Sequence, residues 1–345
     1  MEKQTLFHEG MGGYASFRIP SLVQLPGGRI IAFCEGRVHS ASDYGTIHIV
    51  ARISDDGGNT FGNLRLMVSD ADNTVGNPCP VYDRETGVLH LLFNGNMRDG
   101  GEPKILAGQA PRTVHHMQSK NGGNTWDAPR DITALVKRKG WTWYATGPGH
   151  GIQLNSGRLL IPCNHAVLLA GQARSGPYIS HTIYSDDHGF TWHPGQDVGE
   201  HTNECMLAQL PDGDVYINMR SYHGKARRAV ALSSDEGESW HSLRLDDTLI
   251  EPVCHGSLIA VDRCSEKETP ALLFCNPASA DTRHRLTLRK SLDSGLTWSS
   301  GMLLHSGPAA YSDMVSLPDG RIGVLYEAGE EHPYESIVWM KVVLK

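Results

Sequence analysis

Apolar positions along this chain fall in short β-type runs that pair across a Gly-containing turn. SLVQL (21–25) precedes IIAFCE (30–35), CPVYD (79–83) precedes VLHLLFN (88–94), and HGIQL (150–154) precedes LLIPC (159–163). MLAQL (206–210) precedes VYINMR (215–220), GSLIAV (256–261) precedes ALLFCN (271–276), and MVSL (314–317) precedes IGVLYE (322–327). The joints are LPGGR, DRETG, LNSGR, LPDGD, LPDGR and the longer VDRCSEKETP (261–270). A Gly turn between two such runs predicts a β-hairpin. A third run follows in most units: HIVARIS, TVHHMQS, HTIYS, RAVALS or LTLRKS.

That third run ends in a recurring box: SDDGGNTF from Ser54, SKNGGNTW from Ser119, SDDHGFTW from Ser185, SSDEGESW from Ser233 and SLDSGLTW from Ser291. All five share one frame of Ser, Asp or Asn, Gly, and Thr or Ser at every second position, followed directly by Trp or Phe. The acid or amide can accept backbone N–H bonds across a turn, Gly takes a positive φ, and the aromatic anchors the turn by packing. Five copies in one frame are an internal repeat rather than a chance of turn composition. One unit therefore reads strand, Gly turn, strand, loop, strand, box, strand. Six such units predict an all-β fold, a six-bladed β-propeller of four-stranded antiparallel blades spanning residues 1–345 as a single domain. The sixth unit has no box; SIVWMKVVL (336–344) supplies its third strand and TLFHEG (5–10) its fourth, closing the ring. DITALVKRKG (131–140) is the best candidate for a short helix.

Composition changes this picture little. Hydrophobic residues at 39% and charged residues at 20% are those of a globular protein. A net charge of −7 argues against a nucleic-acid partner and requires a locally positive pocket for any anionic substrate. The seven cysteines, at 34, 79, 163, 205, 254, 264 and 275, include no CxxC pair and are expected to be mostly buried thiols. His115, His116 and the other histidines lack metal-ligand spacing, so no metal site is expected. MEKQTLFHEGMGG has no apolar leader core and no run reaches membrane-spanning length. The expectation is a soluble monomer or weak oligomer, cytoplasmic, or secreted or periplasmic if a leader precedes it.

Chemistry on such a scaffold has to come from the inner-strand ends that converge on the axis. Arg18 in FRIP, Arg220 at the end of VYINMR and Arg283 in NPASADTRHRL occupy comparable places in three units. Three guanidiniums meeting there would grip a carboxylate through paired hydrogen bonds. Carboxylates to hold them stand at Glu327, Glu204 and Asp43, and Tyr311 opens YSDMVSL. Taken singly, each has a bland reading as surface charge, core or rim; the set carries the argument.

With these residues the chain resembles the sialidases (exo-α-sialidases, neuraminidases) of bacterial and animal type. The resemblance covers essentially the whole chain and is carried by YASFRIPSL, EGRVHSASDYG, VGNPCPVYDRETG, GPGHGIQL, TNECMLAQLPDG, NMRS, FCNPAS, AYSDMVSLPDG and LYE. It implies that Arg18, Arg220 and Arg283 bind the sialic acid carboxylate, with Arg285 the alternative third member. It implies Asp43 as acid/base, Tyr311 as nucleophile, Glu204 as the carboxylate that activates it, Glu327 as the residue orienting Arg18, and Arg37 as an additional positively charged residue lining the pocket. Sialylated glycans would be the substrates, and no cofactor is implied. A tyrosine suits a carbon that itself bears a carboxylate, because a neutral phenol avoids the repulsion a carboxylate nucleophile would meet. Tyrosines expected after LLIP are replaced by CNHAVLLAGQARSGPY, where Asn164, His165 and Tyr178 stand, so Kdn or a related nonulosonic acid also fits. WTWYATGPGHG (141–151) reads either as a rim for the leaving sugar or as a pinned loop, and EAGEEHPYE (327–335) as a solvated loop beyond Glu327. A trans-sialidase or intramolecular trans-sialidase would use the same residues. A non-catalytic sialic-acid-binding propeller would lack Tyr311, Glu204 or Asp43, and all three are present.

Overall fold

The computed structural model describes residues 3–168, 175–261 and 270–344. The turn expected in VDRCSEKETP falls on residues 262–269, with Cys264, which lie outside them. The protein is all-β, and its described strands pair antiparallel, mostly between neighbours in the chain, apart from one parallel bridge, Ile47 to Thr74. Ser16–Gln24, Ile30–Arg37, Ile47–Ser54 and Arg65–Val68 make the first group; Thr202–Gln209, Val215–Ser221, Arg227–Ser233 and His241–Ile250 make an equivalent one. The long strand Met302–Ser316 pairs first with His284–Ser291 and then with Ile322–Ala328, so it passes from one group to the next. The chain ends meet: Lys3–His8 pairs with Ser336–Val342, the closure the hydrophobic pattern predicts.

The core is not central. It is a series of apolar seams, each between one group of strands and its neighbour. Phe33, Ile49 and Ala51 pack with Leu89, Leu91 and Phe93, and Leu160 packs with Leu207 and Ile217. The last seam joins end to beginning, with Phe17, Leu22 and Ala32 against Leu325, Ile337 and Trp339. Alternate side chains of each strand feed the seams on its two faces, which is why the strands read as nearly continuous apolar runs.

The boxes cap these seams. Ser54 Oγ donates to Asp56 Oδ1 (2.7 Å) and accepts from Gly58 N (2.8 Å). Asp56 also accepts from Thr60 N (2.9 Å) and Thr60 Oγ1 (2.7 Å). The boxes starting at Ser185, Ser233 and Ser291 repeat this set. In the second box Asn121 still accepts from Thr125 N (2.9 Å), while its Nδ2 donates to Thr125 Oγ1 (2.8 Å), so the amide reverses one bond and keeps the turn. The box glycine answers two demands. Gly58 and Gly295 both have φ near +80°, and a Cβ there would meet Trp339 or Tyr216 of the preceding group at 2.5 Å.

Short helices occupy Glu102–Leu106 and Thr133–Val136. The second lies inside 131–140. The first is additional: Pro103 near its start and Glu102 in its first turn favour a helix too short for periodicity to reveal. No helix among the described residues is long and apolar enough to cross a membrane. The six described cysteines are buried free thiols.

The inner strands are fixed by polar pins between groups. Glu327 Oε1 accepts from Ile19 N, Glu35 Oε1 from Asn77 N and Asn94 Oδ1 from Thr146 N, each at 2.9 Å. Ile19 and Asn77 sit at φ +58° and +55°, at register shifts of their strands. A β-branched residue there is strained, and the buried carboxylate offsets this by satisfying its N–H.

Candidate active site

Arg18, Arg220, Arg283, Glu204, Glu327 and Tyr311, far apart along the chain, come together where the inner strands begin. Arg18 lies on Ser16–Gln24, Tyr311 on Met302–Ser316, Glu204 on Thr202–Gln209 and Arg220 on Val215–Ser221. Tyr311 is the hub. Its hydroxyl donates a short hydrogen bond to Glu204 Oε1 and accepts one from Arg220 Nη1 (3.1 Å). Arg220 Nη1 also bonds Glu204 Oε2 at 2.9 Å. The guanidinium carbons of Arg18 and Arg283 lie 5.1 and 5.6 Å from the centre of the Tyr311 ring. Arg283, rather than Arg285, faces this ring. Arg285 is exposed and adopts φ +63° at a bulge in its strand, which breaks the side-chain parity the two would otherwise share.

Three cations this close require anions. Glu327 is fully buried and takes Arg18 Nε at 2.8 Å and Nη2 at 3.3 Å, and its Oε2 also accepts from Tyr311 N at 3.1 Å. One carboxylate thus fixes both an arginine and the backbone of the tyrosine. Asp43 stands on the loop after Ile30–Arg37 with its side chain 68% exposed, 2.7 Å from Arg37 Nη1 and 3.7 Å from Arg18 Nη1. Arg37 itself is buried, paired with Glu35 and Asp43, so it reaches the site through Asp43 rather than as an open basic wall.

Electrostatics separate the two ends of the Tyr311–Glu204 bond. Burial and the Glu204 charge push the Tyr311 phenol well above its ordinary value, against Arg220 and Arg283. Burial would raise Glu204 too, but the Arg220 charge above all, with the bonds it accepts from Tyr311 and Arg220, brings it down to about 2. The proton therefore rests on the phenol, facing an ionised carboxylate that can receive it as the oxygen forms a bond. Partial desolvation raises Asp43, and Arg37 and Arg18 outweigh it, holding the carboxyl below the usual range.

Several neighbours are new. Tyr334 lies in the segment read as a merely solvated loop; its hydroxyl accepts from Arg283 Nη1 (2.8 Å) and its ring lies 4.0 Å under Arg18. Glu335 pins that loop by accepting from the N–H groups of Glu331 and His332 at 2.7 and 2.8 Å. His255 is buried 5.3 Å from the Tyr311 ring, and burial takes it down to about 3, so it is neutral. A second wall runs from Arg220 through Tyr222, stacked on Tyr178, to Glu102, which accepts a short bond from Tyr178. Asn164 and His165 are fully buried: Asn164 accepts from Trp143 Nε1, and His165 stacks on Trp141 at 3.6 Å. They do not line the pocket. Trp141 is buried, and Trp143 is covered by Arg112 at 4.1 Å, so 141–151 is a pinned segment. The strand Leu159–Leu168 is buried on both faces over 159–166, so Asn164 and His165 are both enclosed although they point to opposite sides, and the paired strand carries Tyr178 to the site.

The family model described as a BNR repeat-like domain matches residues 28–324. A sialidase of Micromonospora viridifaciens is 33% identical over 98% of this chain and 54% of its own length. Sialidase-2 of Cricetulus griseus is 31% identical over 100% of this chain and 96% of its own. The chain thus spans about half of the first relative and nearly all of the second. Among solved structures, the Hadza microbial sialidase Hz136 is 30% identical with a TM-score of 0.88, over 99% of this chain and 68% of that one. The leech intramolecular trans-sialidase, at 17% identity and a TM-score of 0.83 over 99% of this chain and 70% of its own, shares the fold.

Proposed function

The chain belongs to the sialidase family, a family of glycoside hydrolases, and on that premise we propose that it is a retaining exo-α-sialidase acting on terminal α-linked sialic acids of glycoconjugates. The single domain is a six-bladed propeller, a reading supported by the seams that run from each group of strands to the next and back to the first. The observation that carries the function is Tyr311 hydrogen-bonded to both Glu204 and Arg220 beneath two further guanidiniums.

The sugar carboxylate lies across Arg18, Arg220 and Arg283. Its binding sets the anomeric carbon over the Tyr311 hydroxyl and favours the oxocarbenium-like geometry. As the phenol oxygen attacks, its proton passes to Glu204; Asp43 gives a proton to the departing glycosidic oxygen. Asp43 then takes a proton from water, which displaces Tyr311 from the same carbon while Glu204 returns its proton to the departing phenol oxygen, so configuration is retained. Tyr178, Tyr222 and Glu102 form the wall available to the rest of the sugar. The test is a fluorogenic sialoside assay with Neu5Ac and Kdn substrates, with the anomer first released followed by NMR. Absence of hydrolysis, or first release of the β-anomer, overturns the reading.

Arg220→Ala removes a carboxylate ligand and the partner of Glu204. It is expected to lower kcat/KM roughly a hundredfold, as loss of a preorganised charge partner does; an unchanged kcat/KM would count against the triad. The pH profile has a definite sign. Productive attack needs Asp43 protonated and Glu204 ionised. Asp43 is held below the usual carboxylate range, so its acid form shrinks about tenfold per pH unit above its pKa, while Glu204 stays ionised down to about pH 2. On sialyllactose, kcat/KM is expected to fall steadily as pH rises from the acid range through neutrality. A flat profile to neutral pH would remove Asp43 as the acid.

A further inference from the structure

We propose that Glu35 is a positioning residue for the reaction, holding Arg37 so that Arg37 in turn holds Asp43, and that Gly76 is the residue that leaves space for it. This deepens, and rests on, the reading of Asp43 as the acid/base. Asp43 sits on an exposed loop, yet an acid must be aimed at one oxygen to be useful. Arg37 ties that loop down: its Nη1 donates to Ala41 O at 2.6 Å and lies 2.7 Å from Asp43 Oδ1. Arg18 also approaches Asp43, at 3.7 Å, but in the proposed complex Arg18 is taken up by the substrate carboxylate. Arg37 is then what still holds the acid.

Arg37 is in turn only 2% exposed and has few conformations open to it. The opposite edge of its guanidinium, Nε and Nη2, meets a single oxygen, Glu35 Oε2, at 3.1 and 2.7 Å. Glu35 is 4% exposed, and its other oxygen accepts from Asn77 N at 2.9 Å. The carboxylate is thus clamped at both ends, between the loop bearing the acid and the inner strand Thr74–Tyr82. At Gly76 the requirement is space, since its φ lies outside the left-handed region. A Cβ there would stand 2.3 Å from Glu35 Oε1 and 3.0 Å from its carboxyl carbon. Gly76→Ala therefore displaces Glu35 without changing any charge.

General-acid help matters in proportion to how poor the leaving group is. The experiment compares kcat/KM on 3′-sialyllactose, whose departing alcohol needs a proton, with kcat/KM on 4-nitrophenyl sialoside, which departs without one. Glu35→Gln and Gly76→Ala are each expected to lower the sialyllactose value at least about tenfold more than the nitrophenyl value. A general loss of structure would lower both together, so equal losses in the two variants overturn the proposal, as does no loss in either. Asp43→Ala fixes the scale. If it too fails to discriminate between the substrates, the acid/base reading has failed. If it discriminates while the folded Glu35 and Gly76 variants do not, only the positioning role has. Two variants that disturb the same clamp by different means keep the result decisive should one of them not fold.

Discussion

Tyr311→Phe is expected to fold and to hydrolyse sialyllactose at least about a thousandfold more slowly than the unaltered protein, the scale of loss seen when a nucleophile is deleted. The change removes one oxygen. The ring keeps its packing against Ile19, Cys254 and Ala310, so unfolding in urea should be little altered. Glu204 retains Arg220 at 2.9 Å and is not left as an unpaired buried charge. What disappears is the atom proposed to bond the anomeric carbon. Steady-state hydrolysis and urea denaturation on the same preparation decide the matter. A variant turning over within tenfold of the parent would end the nucleophile assignment.

Glu327→Ala is the second large effect, and it acts on stability and activity together. The carboxylate is 0% exposed and accepts four bonds, two from Arg18 and one each from the N–H groups of Ile19 and Tyr311. Its loss leaves Arg18, itself buried, without its main counter-charge. Breaking a buried pair in this way destabilises by about 3–5 kcal/mol. Ile19, at φ +58°, loses the contact that offsets its strain, and Arg18 and Tyr311 lose their relative placement. The expected outcome is a clear drop in the urea midpoint and a kcat/KM below that of Arg220→Ala. Glu327→Gln should fall between, because the amide oxygen keeps an acceptor but not the charge. A destabilisation under about 1 kcal/mol would show that Arg18 is held by other means.

The fold was legible because its signals are local. A Gly turn between two apolar runs fixes a hairpin, and the box spells out its own hydrogen bonds, down to the exchange of Asp for Asn at position 121. Even closure by the N-terminal strand could be read, from a last unit one strand short. The residues that meet around Tyr311 could be read as a set because Arg220 and Glu327 end equivalent strands, and equivalent strand ends converge in a closed repeat. The third arginine was not decided by parity, since the bulge at Arg285 resets which face each side chain takes. Tyr334 was hidden in an acidic loop whose sequence looks solvated; it is Glu335, bonding the loop to itself, that brings the ring under Arg18.

The sequence by itself determined the strands, the turns, their repetition and the chemical types available at the axis. Each depends on contacts within a few residues or on a period of two. Only the tertiary structure decided which guanidinium meets Tyr311, that Arg37 serves Asp43 rather than the open pocket, and that Gly76 makes room for Glu35. Those outcomes depend on how one group of strands is set against the next, where a bulge of one residue or the absence of one Cβ shifts a side chain by ångströms. No local pattern encodes such displacements, because they arise only when the ring closes.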